Sequence, residues 1–224
     1  MTDFILNPGQ IETESMRIIR AGLTRPWSGE EFPVVERLIH TSGDPSLEQA
    51  IAIHPQAIAC GLKALKEGTN VITDVEMVRA GIAKEKLKAL GGTVQSFLNA
   101  PGVAEQAKEW GITRSMTAFR MHPDNLHGAI VAIGNAPTAL LEVLRLAENP
   151  ETRPALIIGI PVGFVGAKES KDLLWERQSL PSITVLGTRG GSPLAATVVN
   201  ALIYTAIRQL ALEKEGESCP LITS

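Results

Sequence analysis

The chain has 224 residues, 44% hydrophobic and 20% charged, enough to bury a full core in a single α/β domain spanning 1–224. Its 21 basic and 24 acidic residues are dispersed and only 4% of residues are aromatic, which argues against a nucleic-acid footprint. Cys60 and Cys219 lie far apart without CxxC spacing, the opening MTDFILNPGQ shows no export signal, and no run reads as the roughly 20 apolar residues of a membrane span; a cytoplasmic protein without disulfide, zinc or membrane contact is therefore expected.

Apolar spacing predicts a short amphipathic helix over 11–23, with Ser15 and Met16 in its middle. A second helix opens at Ser28 with Glu31 three residues on as a capping box, buries Val34, Val35, Leu38 and Ile39, and stops at Gly43. A third starts at Pro55 and closes at Gly68. A strand follows over 70–73, where Asp74 reads as the N-cap of a short helix. After a lysine-bearing helix over 83–90 comes a more polar strand, 93–98, expected near a sheet edge, then helical segments over 103–110 and 114–122. Three strand–turn–helix units close the chain, over 129–147, 155–176 and 183–207, and the residues from 214 to 224 carry no periodicity and are expected to be mobile.

Five continuous apolar runs that lead into helical patterns read as parallel strands covered on both faces. The expected architecture is a three-layer α/β/α sandwich around a mostly parallel five-stranded sheet. A ligand is expected at the carboxyl ends of the strands, where loop amides and helix N-termini point outward together.

Nucleotide motifs fail on spacing. Pro161 stands where the dinucleotide pattern of Gly159, Gly163 and Gly166 needs its second glycine, and Gly166-Ala167-Lys168 breaks the phosphate loop. No GxSxG elbow occurs. These glycines suit tight turns or an anion cradle, and Gly190-Gly191-Ser192-Pro193 leans toward the cradle. Asp74 and Glu76 are two apart and Asp44 stands alone, so no metal site is expected.

His54 and His122 precede prolines and His127 precedes a strand, positions that favour structural or exposed roles. His40 differs because Arg37, three residues earlier, shares its helix face; the two read either as a solvated pair or as a fixed cation beside a group that exchanges protons near neutrality. Arg114, in Thr113-Arg114-Ser115, and Arg189, in Gly187-Thr188-Arg189-Gly190, are either carboxylate forks or solvated arginines.

Longer strings add to these single residues. Arg37-Leu38-Ile39-His40, NVITDVEM (70–77), Thr113-Arg114-Ser115, VAIGNAPTAL (131–140), GIPVGFVGAKESK (159–171) and the GGS loop (190–192) together resemble the precorrin-8X methylmutase family of cobalamin biosynthesis, in order and across nearly the whole chain. The resemblance implies a homodimeric isomerase that moves a methyl group from ring carbon 11 to ring carbon 12 of a corrin-type macrocycle. The product would be hydrogenobyrinic acid from metal-free precorrin-8X, or cobyrinic acid from cobalt-precorrin-8. By the same resemblance His40 is the proton donor and acceptor, and Ser15, Arg37 and Arg114 contact the substrate. Asn135, Gly163, Phe164, Arg189 and Ser192 are further contact candidates. At Arg189 the chain departs from the family pattern, in which the basic residue directly follows the glycine; here Thr188 intervenes.

Such a shift needs neither nucleophile nor redox cofactor, in keeping with the failed motifs, and no cofactor is expected. Carboxylates on the macrocycle's rim would meet Arg37, Arg114 and the helix N-termini behind Gly134, Gly163 and Gly191, with Pro161, Val162, Phe164 and Val165 as an apolar floor. Two other readings stand beside this one: a non-catalytic tetrapyrrole carrier using the same crevice, and a phosphate- or nucleotide-binding α/β enzyme using the glycine loops.

Overall fold

A computed structural model describes residues 5–217. Its strands are β1 (Ile51–Ile53), β2 (Val71–Thr73), β3 (Val94–Ser96), β4 (Ile130–Ile133), β5 (Leu156–Gly159) and β6 (Ser182–Val185). They form a six-stranded sheet in the order β1-β6-β5-β4-β2-β3. All neighbours run parallel except β1, which pairs antiparallel with β6 through Ile51↔Val185 and Ile53↔Ile183. The expected five strands thus become six. The added one, Ile-Ala-Ile, is three residues long between Pro45 and Pro55, too short for its periodicity to stand apart from the helix start after it. The more polar β3 lies at the opposite edge, as its composition predicts.

The helices are α1 (Pro8–Gly22), α2 (Phe32–Ser42), α3 (Ala57–Lys66), α4 (Glu76–Gly81), α5 (Lys84–Ala89), α6 (Val103–Trp110), α7 (Arg114–Met121), α8 (Pro137–Leu146), α9 (Ala167–Glu176) and α10 (Ser192–Glu217). Alternation along the strands sorts them into two layers, because successive side chains leave opposite faces of a sheet. Val71, Ile130, Ala132, Leu156 and Ile158 face α2, α3, α4, α5 and α10. Ile72, Val131, Ile133 and Ile157 face α7, α8 and α9. The expected α/β/α sandwich is the observed one. Leu140 and Ile133 are fully buried in the second layer, where truncation to alanine costs about 2–5 kcal/mol.

Two expectations about α10 are corrected. Its Ser192–Glu213 stretch, with mean hydropathy 1.3, is long and apolar enough to cross a membrane by length and composition, but half of it is buried inside the protein. Val198, Val199, Leu202 and Ile203 on this helix cover the sheet, which accounts for the apolar run. The helix also continues to Glu217, past the point where sequence periodicity fades. The rest of the expected mobile tail, 218–224 with Cys219, lies outside the described residues. In contrast to α10, α1 buries no residue and rests on α2 from outside.

Candidate functional site

Three polar locks hold the loops at the carboxyl edge of the sheet, two of them built on the buried Asp74 and Lys171 and the third on an exposed ion pair. The first lock is Asp74, directly after β2. It does not cap α4, whose N-cap position is Val75. Its carboxylate instead crosses to the β4–α8 loop and accepts from the backbone N–H groups of Gly134 (3.1 Å), Asn135 (2.8 Å) and Ala136 (2.8 Å). Burial pushes this carboxyl above its ordinary value, against the downward pull of those N–H groups. The start of α8 is therefore filled by an internal carboxylate, and its amides are not free to take one from a substrate. The Asn135 side chain is exposed. Gly134 is required here because a Cβ would stand 2.6 Å from the Cα of Ser192.

The second lock joins the loops after β5 and β6. Gly163 N–H donates to the Thr188 carbonyl (3.1 Å) and Gly191 N–H to that of Ile160 (2.9 Å). A Cβ on Gly190 would lie 2.4 Å from the Ile160 oxygen, so only glycine allows this approach. Behind them the Lys171 ammonium, fully buried on α9, donates to the Arg189 carbonyl at 2.6 Å. Ser192 is buried at the first turn of α10. Phe164 and Val165, by contrast, stand out at 93% and 90% exposure.

The third lock is the Arg189 side chain. It reaches Asp44 Oδ2 (2.6 Å) and Ser46 Oγ (3.0 Å) in the turn that follows α2. Bonds from Ser46, and then the Arg189 guanidinium, hold the Asp44 carboxyl below its ordinary value. Arg189 thus spends its fork on the protein's own carboxylate.

That turn carries α2, and with it Arg37 and His40. The reciprocal bonds of the expected capping box form, Ser28 N–H donating to Glu31 Oε2 (2.9 Å) and Glu31 N–H to Ser28 Oγ (3.3 Å), but they close a turn ahead of the helix, which opens at Phe32 with Glu31 at its N-cap position rather than at Ser28. Gly43 ends the helix with φ 64°. Val35 and Leu38 bury its inner face, which leaves Arg37 and His40 exposed on the outer one. Arg37 pairs with Glu12 of α1 at 2.5 Å. Ser15, half-buried, shares that face of α1, one turn along from Glu12. The structure therefore brings Ser15, Arg37 and His40 to the α1–α2 surface.

Two cavities flank this surface. One, of about 380 Å³, is lined by Arg20, Arg37, Tyr204 and Arg208 among others. The other, of about 360 Å³, opens at the carboxyl edge between Thr41, Asp44, Val162, Arg189 and Gly190. His40 directly precedes Thr41, whose hydroxyl meets that of Thr197 on α10 at 2.9 Å. Each cavity is large enough for part of a macrocycle's rim rather than a whole ring, so a large planar ligand would lie across the mouth.

Arg114 is placed apart, at the start of α7, where it donates to Asn99 Oδ1 (2.6 Å) and the Leu98 carbonyl (3.2 Å). The remaining histidines have structural partners. His54 is buried, with Nε2 2.9 Å from the Gln178 carbonyl; His122 stacks on Phe97 at 4.4 Å; His127 Nδ1 lies 3.2 Å from the Pro150 carbonyl. Among the described residues no group of three or more His, Cys, Asp or Glu side chains could hold a metal ion.

With this geometry established, likeness to known proteins can be judged. The family model of precorrin-8X methylmutase matches residues 10–205. The chain belongs to the precorrin-8X methylmutase family. Cobalt-precorrin-8 methylmutase of Priestia megaterium is 40% identical over 202 residues, covering 90% of this chain and 89% of that protein. Precorrin-8X methylmutase of Sinorhizobium sp is 38% identical over 203 residues, covering 89% and 96%. The solved precorrin-8X methylmutase of Thermus thermophilus superposes with a TM-score of 0.80 at 35% identity, covering 89% of this chain and 98% of that one. The methylmutase match thus takes in most of α1, all of α2 and every strand.

Sequence reasoning overlooked three structural contributors to this candidate site. Lys171 was legible in principle: Ala167, Ser170, Lys171 and Leu174 follow the spacing of a buried helix face, and all four are buried. Glu48 and Asp44 offered no such signal, because their partners at Thr24, Arg25 and Arg189 are remote in the chain.

Proposed function

We propose that the protein is a cobalamin-pathway isomerase that takes precorrin-8X or cobalt-precorrin-8 and moves the methyl group on ring carbon 11 to ring carbon 12, with His40 as proton donor and acceptor. Membership of the methylmutase family supports the reaction. The observation that carries the residue assignment is the position of His40: an exposed imidazole on the last turn of α2, directly before a wall of the carboxyl-edge cavity.

In this reading the carbon 11–methyl bond breaks as the carbon 12–methyl bond forms. The imidazolium lends a proton to the conjugated ring, which favours the rearranged tautomer, and recovers one afterwards, so nothing is oxidised and no group leaves. Such proton transfer contributes about 10²–10⁴ in rate. Arg37 and Ser15 bind the rim beside His40. Arg114 also contacts substrate in this reading, and its distance along the fold fits a ligand broad enough to span loops from both helical layers. The protein acts as a homodimer. Exposed Ile11 and Ile18 on α1, and Tyr204 and Leu212 on α10, supply apolar surface for that contact.

Incubating the protein with metal-free and cobalt-loaded precursor while following the visible spectrum tests the reaction and its preferred form together. Conversion of either is expected. Stoichiometric binding of the pigment with a static spectrum would replace the isomerase by a carrier.

A further inference from the structure

Lys171 raises a physical question that its helix does not answer. It is fully buried, yet an ammonium kept out of water with a single protein acceptor is costly, and an apolar side chain of similar volume would fill the space without that cost. Its one acceptor is the Arg189 carbonyl, at 2.6 Å, within the range of charge-assisted hydrogen bonds. The Arg189–Gly190 peptide is trans and planar, so its N–H points opposite to its carbonyl. Drawing the carbonyl inward therefore turns the Gly190 N–H outward, toward the cavity of about 360 Å³ that Gly190 lines with Thr41, Val162 and Pro193. Gly187 (φ 80°) and Gly191 (φ 130°) let the backbone turn here, and the ammonium holds the Arg189 carbonyl inward alongside the Gly191 N–H bond to the Ile160 carbonyl. The nearby carboxylates bond elsewhere, Asp172 to Lys168 at 2.6 Å and Asp44 to the Arg189 guanidinium, although the Asp172 charge still favours the Lys171 ammonium against its burial.

We infer that Lys171 is a positioning residue of the substrate site: it orients the Arg189–Gly190 peptide so that the Gly190 N–H, with a buried cation behind it, receives one carboxylate of the tetrapyrrole's rim in the cavity beside His40. This rests on the methylmutase reading and adds an anchor to it. Arg189 serves that anchor through its backbone rather than its fork, which is held by Asp44.

The test is steady-state kinetics of Lys171→Met with the tetrapyrrole substrate. KM is expected to rise about tenfold, the loss of one hydrogen-bonded anchor, with kcat held within about twofold. A merely structural role would lower the amount of active enzyme and leave KM alone, so an unchanged KM in folded Lys171→Met overturns the inference. Should that variant not accumulate as folded protein, the wild type supplies the measurement. Burial pushes the Lys171 amine down to about 8, so KM should climb between pH 7 and 9; a pH-independent KM would overturn the inference equally. Failure of the wild type to convert substrate at all would strike the methylmutase reading instead.

Discussion

The carboxyl edge of the sheet and the α1–α2 corner both carry candidate site residues, but opposite physics holds them. At the sheet edge the anchoring groups, Asp74 and Lys171, are buried and bonded to backbone. Low local dielectric strengthens such bonds and makes them costly to lose. At the corner α1 contributes no buried residue, and its ion pairs to α2 are Arg37–Glu12, exposed on both sides, and Arg20–Glu36, which sets an exposed guanidinium on a buried carboxylate. Exposed pairs are weak and screened by salt. Buried bonds thus hold the loops at the crevice, while α1, which carries Ser15, rests on α2 without a buried residue of its own.

Removing an anchor from the rigid side should have the largest effect. Asp74→Ala strands three backbone N–H groups and is expected to cost about 3–5 kcal/mol, read as a melting temperature lower by roughly 10 °C and insensitive to salt. A loss under 1 kcal/mol would erase the distinction between the two regions.

Glu48 is where the corner borrows the other region's method. Its buried carboxylate accepts from Thr24 N–H (3.0 Å), Arg25 N–H (2.8 Å) and Trp27 Nε1 (3.0 Å), pinning the segment between α1 and α2. Glu48→Ala should cost about 2–3 kcal/mol and raise KM by releasing Ser15 and Arg37, measurable by calorimetry beside kinetics. Burial pushes this carboxyl up, but the N–H groups of Arg25 and Thr24 and the Trp27 indole outweigh it and hold it below its ordinary value. A lowered folded-state value means that the stabilisation is present above the unfolded carboxylate pKa of about 4.3 and is lost as pH falls through the folded value. Hydrogen exchange should therefore show α1 opening before β4 and β5 as the solution is acidified below about pH 4. Simultaneous opening would contradict the contrast.

The smallest effect belongs to the pair exposed on both sides, Arg37–Glu12. Arg37→Ala is expected to cost under about 1 kcal/mol of stability, and less in 0.5 M salt than in 0.05 M, as thermal melts at the two ionic strengths would show. A larger, salt-independent loss would place Arg37 with the buried anchors.

What was legible in the sequence follows the range of each interaction. Local signals held: the Ser28–Glu31 bonds, the Gly43 stop and the apolar runs of β4, β5 and β6 are set within a few residues and form as their spacing predicts, although α2 itself opens at Phe32 rather than Ser28. β1 escaped because three residues carry no period, and its identity comes from pairing with β6, some 130 residues on by the Ile51↔Val185 register. Asp74 was misread because a carboxylate after a strand looks like a cap, whereas its true acceptor role lies 60 residues away at Gly134. For the site, spacing alone paired Arg37 with His40, and the long strings supplied the family. That Arg189 turns to Asp44, and that Arg114 stands on the other helical layer, are consequences of tertiary packing that no window of sequence contains.

The central claim is that His40 moves a proton while the protein moves a methyl group. Carbon-13 NMR of a precursor labelled at the migrating methyl, run with wild type and with His40→Ala, tests it directly. The label should pass from carbon 11 to carbon 12 with the wild type and stay in place with His40→Ala, although that variant still binds the pigment. A label that moves equally fast with His40→Ala, or that never moves with the wild type, would contradict the account.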